Sequence, residues 1–171
     1  MTTFAIWDID NCLADDTHRL PLIDLTACDN EERFAKYNAA MGGDEPCHVD
    51  LFNAVAMVAT PVFFTSRPQT FHAETVAWLQ RHYRVCANRI YMRAAGDKRD
   101  TVALKHHMLV RLRREFAYSN CTIVAYDDRE DVCDMYQAEG VDSMRIAIHD
   151  SNIYVSCPLG CNHFSINHLG A

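Results

Sequence analysis

A chain of 171 residues, 49% hydrophobic and 23% charged, has room for one domain with a sizeable core and needs no staples to hold it. Its net charge of −7 with histidines neutral argues against a long nucleic-acid footprint, because phosphate neutralisation drives that binding. A strand end or a single nucleotide stays open if basic side chains gather locally. No apolar run reaches the length of a membrane span, and the N-terminus enters a β-like run with no signal-peptide pattern, so a soluble, cytoplasmic protein is expected. Eight cysteines (12, 28, 47, 86, 121, 133, 157 and 161) could suggest a disulfide framework. Several fall inside expected strands and helices, so reduced, mostly core-like thiols are the better expectation.

In chain order, residues 3–7 read as a buried strand that runs into Asp8-Ile9-Asp10-Asn11-Cys12. Residues 14–47 break the pattern with a turn at Asp15-Asp16, a helix candidate from Glu31 to Met41, and Gly42-Gly43. This reads as a small insert over the end of the strand. A helix is expected from His48 to Ala59, after Pro46. Pro61 to Thr65 reads as a second strong strand, with proline first, where a missing N–H matters least. Phe71, Thr75, Trp78 and Leu79 follow helical spacing. Ile90–Met92 is a short strand candidate, and Val102, Leu109, Leu112 and Phe116 mark a helix over 100–116. Residues 122–126 form the next strand and run into Asp127-Asp128-Arg129. Val132, Met135 and Tyr136 belong to a helix stopped by Gly140, and Met144–Ile148 is a last short strand. Residues 151–171 show no period and read as a tail of the same domain, which otherwise spans 1–150.

Strands alternating with helices imply an α/β fold of Rossmann-like type: a mainly parallel sheet with helices on both faces. Ligands of such sheets bind beyond the carboxyl ends of the strands, and that is where the acids fall. Four carboxylates on two neighbouring strand ends repel unless a cation sits among them or a proton is shared. A hard metal, most simply Mg²⁺, suits them. A lone Asp-x-Asp is as often a strand end followed by a turn, so only the company of the other elements gives it chemical meaning. Thr65-Ser66-Arg67 can bind a phosphoryl oxygen, or be a helix cap with a surface charge. The run from Arg93 through Gly96, Lys98 and Arg99 to Lys105 is either a solvated face or the source of a compensating cation, Lys105 or Lys98.

These four elements, in this order, resemble the haloacid dehalogenase (HAD) superfamily of phosphotransferases. Asp8-Ile9-Asp10 matches the first motif, Thr65 the second, Lys105 the third, and Asp127-Asp128 the fourth. Within it, Ser66-Arg67, the Arg93…Gly96-Asp97-x-Arg99…Lys105 run and Asp127-Asp128-Arg129…Gly140-Val141 resemble the phosphatase domain of polynucleotide kinase–phosphatases over about residues 3–148. Asn11-Cys12 stands where the family usually has Gly-Thr. Asparagine tolerates the left-handed turn, but a thiol is a poor substitute for a threonine hydroxyl supporting Asp10. No GxxxxGK[ST] phosphate loop, the mark of the kinase half, occurs in the chain.

The resemblance implies that Asp8 is the nucleophile and Asp10 the general acid and base. Thr65 and Lys105 would hold the phosphoryl group. Asp8, Asp10 (through its carbonyl), Asp127 and Asp128 would hold Mg²⁺, and Ser66, Arg67, Arg93 and Arg99 would meet the substrate. The expected function is a Mg²⁺-dependent phosphomonoesterase acting on a nucleic-acid 3′ end or a nucleotide 3′-phosphate. A nucleoside 5′-monophosphate phosphatase is the alternative. A different class is a non-catalytic HAD-scaffold binding protein whose tail holds structural Zn²⁺ at Cys157, Cys161 and His163. His106-His107 reads as exposed or partly packed, and the Trp7/Tyr126 pair beside the acids as core rather than a base-stacking platform. Oligomeric state is left open.

Overall fold

The computed structural model describes residues 2–86, 88–116 and 121–148, and the backbone of 154–156. The chain enters β1 (Thr2–Trp7) and then an insert. This holds β2 (Ala14–Asp15), a 3-10 turn at Thr17–Leu22, α1 (Asn30–Arg33), α2 (Ala35–Ala39), a second 3-10 turn at Met41–Gly43, and β3 (Glu45–Pro46). It continues through α3 (Val49–Ala56), β4 (Thr60–Pro68), α4 (His72–Tyr83), β5 (Ile90–Arg93) and α5 (Thr101–Glu115). Last come β6 (Cys121–Asp127), α6 (Glu130–Ala138), β7 (Asp142–Arg145) and β8 (Tyr154–Ser156).

The main sheet has the order β5-β4-β1-β6-β7-β8. The first five strands are parallel, and β8 is antiparallel to β7. β1 lies in the middle, with Phe4 to Trp7 opposite Thr60 to Phe63 on one side and Ile123 to Tyr126 on the other. Side chains alternate across it. Ala5 and Trp7 join Phe52 of α3 and Trp78, Leu79 and Tyr83 of α4 in one core. Phe4 and Ile6 join Leu104, Met108, Leu109 and Leu112 of α5 and Val132 and Tyr136 of α6 in the other. Both faces are covered by helices, as the buried, continuously apolar strands require. Trp7 and Tyr126 stack on each other at 4.0 Å within this packing.

β2 and β3 form a separate two-stranded ribbon that closes the insert at its base. The single helix expected over 31–41 is two short ones, because Phe34 leaves helical geometry (φ −100°, ψ 6°). The last parallel strand lies at 142–145 rather than 144–148. Pairing with β6 sets its limits: Val124 faces Asp142 and Asp127 faces Arg145, and Ile146 then turns into the core at 1% exposure. All six described cysteines are free, but only Cys12 and Cys133 are buried; Cys28 and Cys86 are exposed, so the thiols are less core-like than expected. The C-terminal residues proposed for zinc, Cys157, Cys161 and His163, lie outside the described residues. Among the described residues, no helix is long and apolar enough to cross a membrane.

Candidate active site

The chain leaves β1 for β4 on one side and, later, β6 on the other, so the carboxyl end of β1 is the switch point of the sheet. Asp8 is the first residue past β1, tied by its N–H to the Tyr126 carbonyl at 2.9 Å. Asp127 ends β6 and Asp128 follows it. One carboxylate oxygen from each of Asp8, Asp127 and Asp128 lies within 4.8 Å of the others. Asn11 adopts the left-handed conformation (φ +58°), as its place in the turn demands, and its amide donates to Asp128 Oδ2 at 2.9 Å.

Lys105 enters this cluster from the second turn of α5, a helix started by the Asp100 side chain accepting from the Ala103 N–H. Its Nζ donates to Asp8 Oδ1 and to Asp127 Oδ2, both at 2.6 Å. Burial works to strip the ammonium of its proton, but Asp127 and Asp8 overcome it and hold the lysine firmly charged. Burial pushes the Asp8 carboxyl up; Lys105 opposes this, and Asp127, Asp128 and Asp10 add to the rise. Burial also raises Asp127, again against Lys105. Three carboxyl groups around one ammonium are a set of hard oxygen donors that fits a divalent cation. Lys98, the other lysine of the run, is exposed on the loop before α5.

Asp10 faces a second cluster. Arg67 donates to it from Nε at 3.0 Å and from Nη2 at 2.6 Å, and Arg19 Nη2 also pairs with its Oδ1. Both guanidiniums then share Asp44. Arg19 Nε and Nη2 lie 2.7 and 2.8 Å from its two oxygens, and Arg67 Nη2 lies 2.8 Å from Oδ2. Arg19, Arg67 and Asp44 are all at least 98% buried. Arg19 lies over the Tyr37 ring at 4.0 Å, and Trp78 Nε1 donates to the Asp44 carbonyl at 2.9 Å. Burial would raise the Asp10 carboxyl, but Arg67 and Arg19 outweigh it and bring it down to about 2. Cys12, standing where a threonine was expected to support Asp10, points its thiol at the Tyr126 carbonyl instead.

The remaining candidates scatter around these two clusters. Thr65 is fully buried at the end of the apolar part of β4, and its Oγ1 accepts from the Arg67 N–H at 3.1 Å. Ser66 Oγ lies 3.5 Å from Thr101 Oγ1 at the start of α5. Arg67 is committed to Asp10 and Asp44 rather than open to solvent. Arg93 Nη1 holds the carbonyls of Asp97 and Arg99 at 3.1 and 2.7 Å, shaping the loop, and Arg99 pairs with Asp97. Arg19 and Asp44 escaped the sequence reading. They lie in the insert with no motif spacing, and only the folded chain brings them to Asp10.

The family model described as the polynucleotide kinase PNKP phosphatase domain matches residues 2–150. The chain belongs to this family. Its HAD-type fold agrees with the parallel sheet and with the acids at its switch point. Among solved structures, the chain is similar to one described as the Pnkp1/Rnl/Hen1 RNA repair complex. Identity is 16%, with 85% of this chain and 42% of that one covered at a TM-score of 0.61. A second Pnkp1/Rnl/Hen1 complex matches at 16% identity over 88% of this chain and 47% of that one, TM-score 0.62. Protein Tyrosine Kinase A (PtkA) of Mycobacterium tuberculosis matches at 17% identity over 86% of each chain, TM-score 0.51. These likenesses concern the fold, and the chain spans less than half the length of the chains it matches in the two Pnkp1/Rnl/Hen1 complexes. No curated protein matches it.

Proposed function

We propose that this PNKP-type phosphatase domain is a Mg²⁺-dependent phosphomonoesterase working through an aspartyl-phosphate, with a nucleic-acid or nucleotide 3′-phosphate as substrate. The observation that carries the reading is Lys105 Nζ held 2.6 Å from both Asp8 and Asp127, with Asp128 completing a three-carboxylate cluster. Asp8, Asp127 and Asp128, with the Asp10 carbonyl, would hold Mg²⁺. Bound there, the ion would neutralise the phosphoryl oxygens facing the anionic nucleophile.

Asp8 attacks phosphorus, the bond to the leaving oxygen breaks, and Asp10 gives that oxygen a proton. Asp10 then takes a proton from water, which attacks the same phosphorus and frees Asp8. Lys105 and Thr65 steady the phosphoryl group. The hold of Arg67 and Arg19 on Asp10 favours its ionised form, which suits the base half of this cycle. The acid half requires one guanidinium contact to loosen when the substrate arrives.

The overall charge of −7 favours a small nucleotide over a strand end, so both belong in the test. Phosphate release with Mg²⁺ should be compared for 3′-phosphorylated oligonucleotides, 3′-mononucleotides and 5′-mononucleotides. The proposal expects 3′-phosphates to be preferred. Release from 5′-mononucleotides alone would make the protein a nucleotidase, and release from none of them would favour a binding protein on the same scaffold.

A further inference from the structure

Charge is unevenly distributed along this acidic chain. Seven of its 16 lysines and arginines, but only two of its 23 acids, fall between Arg93 and Arg114. Lys105 is buried among the catalytic carboxylates and Arg93 binds backbone carbonyls, but most of the others face outward. Lys98 and Arg99 are exposed on the loop at the carboxyl end of β5, and His107, Arg111 and Arg114 are exposed on α5. Spacings of four and three put these last residues on one stripe of the helix.

The stripe starts at the site, because the first residue of α5, Thr101, lies beside Ser66 and Lys105 of the next turn reaches Asp8. From Thr101 to Arg114 a helix rises about 20 Å, the span of about six phosphates in a stacked strand. A cavity of about 90 Å³ opens under the stripe, rimmed by Arg99, His107 and Arg111 and floored by Met92, Leu104 and Met108. The neighbouring acids are already engaged. Asp97 pairs with Arg99, Glu115 with Arg111, and Asp100 caps α5. Glu139 takes His106 and Arg113 on the adjoining side. Among the described residues, no carboxylate pairs with Lys98 or Arg114.

We infer that the exposed stripe of Lys98, Arg99, His107, Arg111 and Arg114 is a docking track for the backbone of a single-stranded nucleic acid whose 3′ end lies at Asp8. The inference rests on the proposed 3′-phosphatase reading and extends it: the strand behind the reacting end is held by phosphate contacts on α5. A basic stripe beside a net-acidic remainder favours one path for the strand.

The test uses the full chain and its Lys98→Glu/Arg114→Glu variant. Binding of a 12-nucleotide single strand without a terminal phosphate is read by fluorescence anisotropy over a salt series. KM is read in parallel for a 3′-phosphorylated 12-mer and a 3′-mononucleotide. The inference expects wild type to bind the strand and to show a lower KM for the 12-mer. The variant should bind on the order of tenfold more weakly or worse, with a salt slope smaller by about 1–2. Its kcat and its KM for the mononucleotide should be unchanged. Equal KM for the two substrates, strand binding untouched by the variant, or poly-glutamate binding as tightly as the strand would each overturn it. If no phosphate is released from any substrate, the 3′-phosphatase reading fails, and the anisotropy still decides the track.

Discussion

Lys105 carries its charge in a place where charge is expensive, and it does so because two carboxylates face it at 2.6 Å. Removing it takes away a preorganised positive charge and leaves two buried acids without their counter-ion. Lys105→Ala should therefore lower kcat by on the order of 10²-fold or more. Lys98→Ala should leave kcat alone and raise KM for oligonucleotides only. Steady-state kinetics of the two variants on one substrate checks this, and a dead Lys98→Ala beside a near-normal Lys105→Ala would contradict it.

Asp10 makes a different prediction. Its folded carboxyl titrates at about 2, below the ordinary aspartate value of about 3.9. Its contribution to stability is thus complete above about pH 4 and is lost as pH falls toward 2. Urea midpoints of wild type and Asp10→Asn should converge over that interval, by about 2 kcal/mol in unfolding free energy. A constant difference would show that the arginines do not hold the carboxylate down.

The strands and long helices of this fold are legible in the sequence because periodicity is a local property. β1, β4 and β6 are apolar runs with acids or Thr-Ser-Arg at their exits, and α4, α5 and α6 show their buried faces at helical spacing. The paired acids could be found because they stand at the exits of such runs, whereas the basic run alone left Lys105 and Lys98 open and the family resemblance singled out Lys105. The limits of β7 were not legible, since its pairing with β6 sets them. The insert hid more. Phe34 breaks the expected helix, and Arg19 and Asp44 become meaningful only when the ribbon of β2 and β3 folds them over Asp10.

Those two residues help fasten the insert to the sheet, beside Trp78 at the Asp44 carbonyl and Tyr83 at the Leu13 carbonyl. Arg19→Ala would leave Asp10 and Asp44 sharing Arg67 as their one guanidinium, with His18 3.9 Å from Asp44. It should cost about 3–5 kcal/mol, the scale for removing one partner from a buried ion pair, and make the insert the first site of proteolytic cleavage. Chemical denaturation and limited proteolysis read the two effects separately. Arg19→Lys should recover only part of the loss, because an ammonium lacks the planar fork that bridges two carboxylates.

At the scale of the whole molecule, an acidic chain brings Asp8, Asp127 and Asp128 together at the strand ends and places seven of its 16 lysines and arginines between Arg93 and Arg114. The cluster of Asp8, Asp127 and Asp128 beside Lys105 gives the fold a reason to bind a divalent cation before any substrate arrives. Added Mg²⁺ should raise the melting temperature, since a ligand bound only by the folded state stabilises it. Asp128→Asn should reduce that rise without unfolding the protein, because Asn11 can still meet its amide oxygen.

Everything proposed for this site turns on Asp8, just past the end of β1, as the nucleophile of a Mg²⁺-dependent phosphatase. The most direct measurement is phosphate release from a 3′-phosphorylated oligonucleotide by wild type and Asp8→Asn, each with Mg²⁺ and with chelator, with acid-quenched samples assayed for phosphate left on the protein. Wild type should release phosphate only with Mg²⁺ and should accumulate a phosphoenzyme, and Asp8→Asn should show neither release nor phosphoenzyme. Turnover by Asp8→Asn close to that of wild type would contradict it.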